Sequence, residues 1–178
     1  VQDEVFAIAE HWLKLGADGF RLDTVNFYFH DQALRDNPPN ELGKTTVVSR
    51  ANPYGYQNHL YDKNRPEVGT FLGQLGELLA RYPDTMALGE VGAEWYRGTQ
   101  LIQGYIQPGR IQLCYSFDLL SDDFSADHFR SYIRKEADTG HPLWRCVAFS
   151  NHDVARTASR LQPTESSPQQ TASLCMAL

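Results

Sequence analysis

The regular alternation of two hydrophobic periods along the chain constrains its fold more than any other feature. From Asp3 to Leu15 the residues Val5, Phe6, Ile8, Ala9, Trp12, Leu13 and Leu15 recur at the three-and-four spacing of a buried helix face, and Gly16 is placed to end that helix. After the turn at Asp18-Gly19, Phe20 to Asp23 changes to a period of two, which puts Arg21 and Asp23 on one face of a short strand. A second helix is predicted from Pro66, acceptable at a first helical position, to about Tyr82, with Val68, Phe71, Leu72, Leu75, Leu78 and Leu79 facing inward. Pro83-Asp84 ends it. Further strands are predicted at Met86 to Val91, Ile111 to Phe117 and Trp144 to Phe149. Further helices are predicted from Trp95 to about Ile106 and, capped by Ser125, from Ala126 to about Asp138. A polar stretch from Gln162 to Gln170 precedes a terminal helix.

Helices and strands in strict alternation call for parallel strands joined by right-handed crossovers. Two α/β architectures qualify, a doubly wound sheet and a (β/α)8 TIM barrel. A doubly wound nucleotide binder needs a glycine-rich turn after its first strand, and neither Gly-x-Gly-x-x-Gly nor a P-loop stands at any strand-to-helix junction. The pattern therefore predicts a partial (β/α)8 barrel, since four strands cannot close one. The chain opens just before one amphipathic helix and stops inside another, so 1–178 is expected to be one fragment of a barrel catalytic domain, with a long loop at 24–65.

Composition removes several function classes. With 16 Lys and Arg against 22 Asp and Glu, the net charge of -6 gives polyanions no footing, so nucleic acid is not an expected partner. No apolar run approaches the roughly 18 residues of a membrane helix, and no membrane partner is expected. No signal peptide is visible, and a cytoplasmic location is expected. Cys114, Cys146 and Cys175 are too widely spaced for a Cys-x-x-Cys site and are expected to be buried apolar thiols. His11, His30, His59, His128 and His141 have no ligand-like spacing, and Asp122, Asp123 and Asp127 suit a solvated turn and an acidic first helical turn. No metal and no cofactor are predicted.

Working residues of a (β/α) barrel stand at the C-terminal ends of the strands. Asp23, Glu90 and Asp153 fall there. Any one alone is more often a turn former; three together point to chemistry. Arg21, on the strand face of Asp23, would hold that carboxylate charged, as a nucleophile requires. Glu90 follows the apolar Met86-Ala87-Leu88-Gly89, surroundings that favour a proton-donating carboxyl. One charged and one protonated carboxyl is what a retaining glycosidase needs.

The segments Gly19-Phe20-Arg21-Leu22-Asp23, Gly89-Glu90 and Asn151-His152-Asp153, in that order, resemble three short motifs of the α-amylase family, glycoside hydrolase family 13. The resemblance covers essentially the whole chain and implies roughly the fourth to seventh β/α units of the catalytic barrel. It implies Asp23 as nucleophile, Glu90 as general acid and then base, and Asp153 as the group that binds ring hydroxyls and distorts the sugar. It also implies substrate contacts from Arg21, His152 and Arg156. Asn26 and the runs Asp23 to His30, Asn58 to Lys63 and Phe149 to Asp153 are similar to the bacterial α-glucosidase and oligo-glucosidase branch, and Thr24 to members preferring α-1,4 bonds. The expected partner is a small oligosaccharide or disaccharide such as maltose or sucrose, cleaved or transferred at a terminal α-glucosyl unit. The alternatives are a sucrose or maltose isomerase of the same family and a non-catalytic glucosidase-like module. Calcium, bound by relatives in the α-amylase branch, would use loops missing here.

A loop as long as 24–65 calls for a function. It carries Phe27, Tyr28, Phe29, Tyr54, Tyr56 and Tyr61, and aromatic faces stack on sugars. Most of these rings are expected to pack the loop itself, with Phe27 and Tyr28, nearest Asp23, lining a substrate pocket.

Overall fold

The structure is a computed structural model that describes residues 1–40, 52–92, 95–123, 125–137, 146–161, 169 and 173. The chain divides into two compact units, Val1–Cys114 and Tyr115–Leu178.

The first unit begins with α1 (Gln2–Lys14), which ends where Gly16 takes a positive φ of 95°. Strand β1 (Gly19–Leu22) follows, and helix α2 (Glu67–Leu79) leads to β2 (Met86–Val91) and α3 (Trp95–Tyr105). Strand β3 (Leu113–Ser116) carries the chain into the second unit, and the sheet order is β1-β2-β3. β1 and β2 run parallel, paired Gly19 with Met86 through Leu22 with Gly89. That pairing needs glycine at position 19. Its φ is +140°, and a Cβ there would stand 1.7 Å from the Met86 carbonyl oxygen.

Helix α2 is the centre of this unit's core. Val68, Phe71, Leu72, Leu75, Leu78 and Leu79, the residues its periodicity selects, are all buried, packed with Ala87 and Val91 of β2, Ile111 and Cys114. Pro66 stands one position earlier than expected, as the N-cap. The helix stops at Leu79 rather than Tyr82, because the Thr85 hydroxyl donates to the carbonyls of Leu79 and Tyr82 at 3.2 and 3.0 Å.

Helix α1 departs further from expectation. Of its predicted inner face only Leu13 is buried, with Phe6 and Ala9 packed against the core. Val5, Ile8, Trp12 and Leu15 are exposed, because α1 meets the core along a single edge. Val5, Ile8 and Trp12, with Phe20, Leu22 and Tyr28, line a cavity of about 600 Å³.

The second unit holds α4 (Ala126–Ala137), with Ser125 Oγ accepting from His128 N at 3.1 Å as the expected cap, and α5 (Thr157–Arg160). The strand expected at Trp144 to Phe149 is not formed over its described residues, 146–149. The Phe149 carbonyl accepts instead from Arg160 Nη2 at 2.5 Å and Thr157 Oγ1 at 3.0 Å, side-chain bonds that stand in for a strand ladder. Residues 144 and 145 lie outside the described residues, as do Cys175, His141, the polar stretch at 162–170 except for 169, and the terminal helix except for 173. Cys114 is buried and Cys146 half-buried. No helix among the described residues is long and apolar enough to cross a membrane.

Candidate active site

The site starts from the register of two parallel strands. The last backbone pair is Leu22 with Gly89, so Asp23 and Glu90 occupy the next step, side by side at the C-terminal ends of β1 and β2. Arg21, two residues before Asp23, shares its strand face. The guanidinium joins the two acids: Nη1 donates to Asp23 Oδ1 and Nη2 to Glu90 Oε2 at 2.5 Å. A planar fork with fixed donors is suited to such a bridge. Pairing of Arg21 with Asp23 follows from their spacing; its reach to Glu90 depends on the strand register.

The two carboxylates differ in exposure. Asp23 is 65% exposed at the side chain and Glu90 1%. Thr24, in a left-handed conformation at φ 40°, also turns its backbone N–H toward Glu90 Oε2 at 3.4 Å. The other oxygen, Oε1, is buried with no hydrogen-bond partner among the described residues. An unsatisfied buried carboxyl oxygen costs free energy, and such groups persist where function requires them.

The aromatic rings of the loop after β1 pack partly against α2 and partly within the loop. Tyr28 and Phe29 stand edge-on to Phe71 of α2, Tyr54 stacks on His59, and Arg35 lies over Tyr61. Phe27 takes the Lys63 ammonium 5.4 Å from its ring centre and keeps 36% of its surface exposed. Tyr28 is 39% exposed. Burial, followed by the nearby Asp23 charge, pushes its phenol up to about 12, so it is a neutral hydroxyl beside the nucleophile candidate.

Asp153, His152 and Arg156 belong to the second unit, where Asn151, His152 and Asp153 contact one another. Asn151 Oδ1 accepts from the Asp153 backbone N–H at 3.0 Å, its Nδ2 donates to Asp153 Oδ2 at 3.3 Å, and His152 Nε2 stands 3.5 Å from Asp153 Oδ1. Arg156 is exposed and caps α5. One contributor, Arg160, escapes a reading by motif, and a second, Asn26, enters it only as a mark of the α-glucosidase branch. Arg160 binds the carbonyls of Phe149 and Ser121 and so holds the backbone leading into Asn151-His152-Asp153. Asn26 is wholly buried beside β2. Neither position carries a periodicity or charge pattern that marks it. Among the described residues no group of three or more His, Cys, Asp or Glu is placed to hold a metal ion.

Comparison with known proteins places this geometry in a family. A sequence model of the family described as "Alpha amylase, catalytic domain" matches residues 1–178. The chain belongs to the α-amylase catalytic-domain family. Its relatives in that family include a probable alpha-glucosidase of Rhizobium meliloti (strain 1021), 42% identical over 164 residues that make up 90% of this chain and 30% of that protein. An alpha-glucosyl transfer enzyme, XgtA, has a crystal structure that superposes with a TM-score of 0.82 at 40% identity, covering 89% of this chain and 30% of that one. Trehalulose synthase MutB, at 21% identity and a TM-score of 0.62 over 89% of this chain and 28% of that one, shares the fold. The chain thus spans about 30% of the length of such relatives. Membership implies a TIM barrel, and the parallel β1–β2 pair flanked by helices is part of one.

Proposed function

We propose that this chain is a section, roughly the fourth to seventh β/α units, of the barrel of a retaining α-glucosidase acting on terminal α-glucosyl units of short saccharides such as maltose or sucrose. The observation that carries the reading is Arg21 bridging Asp23 and Glu90 at the ends of adjacent parallel strands. Retaining glycosidases need two carboxyl groups about 5–5.5 Å apart, one charged and one able to give a proton. In this reading Asp23, exposed and held by Arg21, attacks the anomeric carbon as the bond to the leaving oxygen breaks. Glu90 gives that oxygen a proton and later takes one from the water or sugar hydroxyl that releases glucose from Asp23. Arg21 and Thr24 occupy Oε2 of Glu90, which leaves Oε1 for the leaving oxygen. Asp153 and His152 bind ring hydroxyls, with Arg156 beside them, and Phe27 and Tyr28 line the entrance from the loop at 24–65.

Transfer to a sugar hydroxyl is the second reading, favoured by the likeness to an alpha-glucosyl transfer enzyme. It uses the same residues and differs in whether water or an alcohol reaches the glucosyl-Asp23 ester. The Thr24 resemblance supports a preference for α-1,4 bonds.

The test uses the full-length protein. Asp23→Asn is expected to lower kcat/KM on maltose by on the order of a thousandfold or more. Glu90→Gln given α-glucosyl fluoride, whose departure needs little protonation, is expected to accumulate a glucosyl adduct on the peptide bearing Asp23, detected by mass spectrometry. An adduct on another carboxylate, or full activity in Asp23→Asn, overturns the assignment. Sugar products formed from maltose and sucrose separate hydrolysis, transfer and isomerisation.

A further inference from the structure

Three residues past the proposed nucleophile the chain buries a polar side chain completely. Asn26 is 0% exposed, and an amide so placed is costly unless its oxygen and N–H groups find partners. Its Nδ2 donates to Asn64 Oδ1 at 2.7 Å and to the Gly92 carbonyl at 3.1 Å, while its Oδ1 accepts from the Gly92 N–H at 3.1 Å. Its own carbonyl accepts from Asn64 N at 2.7 Å. Toward Gly92 the side chain offers one donor and one acceptor to the backbone acceptor and donor of a single residue, as a neighbouring strand would.

The location gives this pairing its consequence. Gly92 follows β2 directly and stands two residues beyond Glu90, while Asn26 sits in the 3-10 turn Val25–Phe27 that follows β1. Backbone pairing of β1 with β2 ends at Leu22 with Gly89, so no rung between these two strands joins the positions of the two carboxylates, although β2 itself runs on to Val91 with β3 on its other side. Arg21 ties the two chains on the strand side of the acids, and the Asn26–Gly92 pair ties them on the far side. An apolar side chain of similar volume would fill the space but leave both Gly92 groups without this partner.

We infer that Asn26 is a positioning residue: by pairing with both backbone groups of Gly92 it fixes the end of β2, and with it the Glu90 carboxyl, against the turn that bears Asp23. The inference rests on the α-glucosidase reading above. It predicts a defect in proton delivery rather than a general loss.

The test compares two substrates in the full-length protein. Maltose leaves as a sugar alcohol and needs the Glu90 proton; α-glucosyl fluoride leaves as a stable anion and needs it little. Asn26→Asp keeps the size and the acceptor but loses the Nδ2 donor and turns a carboxylate toward the Gly92 carbonyl. Its kcat/KM on maltose is expected to fall roughly tenfold to a hundredfold more than that on the fluoride. Asn64→Gly, which tolerates the positive φ of 58° at that residue and removes only the other acceptor, is expected to keep the wild-type ratio between the substrates. If Asn26→Asp does not fold, Asn26→Ser reads the same ratio. Equal losses on both substrates, or none, overturn the positioning role while leaving the glucosidase reading intact. A wild-type protein that turns over neither substrate overturns both.

Discussion

Arg21 is the residue on which the site's electrostatics turn. Its side chain is 37% exposed, yet its two terminal nitrogens engage one exposed and one buried carboxylate on separate strands. Lysine has the charge but not the fork, and a single ammonium cannot hold both acids in one plane. Arg21→Lys is accordingly expected to lower kcat/KM on maltose by about tenfold to a hundredfold and, because the buried Glu90 loses a fixed partner, to lower the melting temperature as well, read by steady-state kinetics beside a thermal melt. A variant as active as wild type would show the bridge to be dispensable. Asp23 and Glu90 were legible because a period of two and a strand end place them without reference to the rest of the chain. The reach of Arg21 to Glu90 and the Gly92 pairing of Asn26 were not, because both partners lie more than sixty residues away in sequence.

At the scale of elements, the described residues of the loop at 24–65 carry an ionic knot that no periodicity announces. Asp31, 5% exposed, accepts from Arg35 Nε at 3.0 Å and Nη2 at 2.6 Å, with Arg65 Nη2 at 3.7 Å and the Asp31 backbone N–H on the Tyr61 carbonyl at 2.6 Å. The Arg35 hydrogen bonds hold the Asp31 carboxyl down at about 2, below its ordinary 3.8. A carboxylate more acidic in the folded chain stabilises it above the ordinary value, and that contribution fades as pH falls toward about 2. Protection against hydrogen exchange in the segments 31–40 and 57–65, taken relative to the intrinsic rate at each pH, is therefore expected to fall between about pH 4 and about pH 2. In Asp31→Asn the same segments should exchange quickly already at neutral pH, without that acid step. Retained protection in the variant would show that the knot does not hold the loop. The inner face of α2 was fully legible, since it is buried along its whole apolar stripe. That of α1 was legible only in part, since periodicity reports what a helix is able to bury and its neighbours decide how much is covered.

Across the whole molecule, the uncovered residues of α1 and the cavity beneath them fit the reading that further barrel units complete the fold. Exposed apolar surface and unpaired strand edges drive association. The 178-residue chain by itself is thus expected to be inactive and to self-associate, seen as no turnover of p-nitrophenyl α-glucoside and a large species in size-exclusion chromatography. Turnover by the monomer that is lost in Asp23→Asn would overturn this. The amino-acid sequence alone determined the alternation of helices and strands as far as β3, the core face of α2, the strand-end places of Asp23 and Glu90 and the family, because each depends on neighbours within a few residues or on short motifs; the strand expected before Asp153 is not formed over 146–149. Tertiary structure alone decided that Glu90 is buried against Arg21, that Asn26 locks onto Gly92, and that 146–149 gives its Phe149 carbonyl to side chains instead of a strand. These depend on register and on which distant groups come to lie opposite one another, and local periodicity carries no information about either.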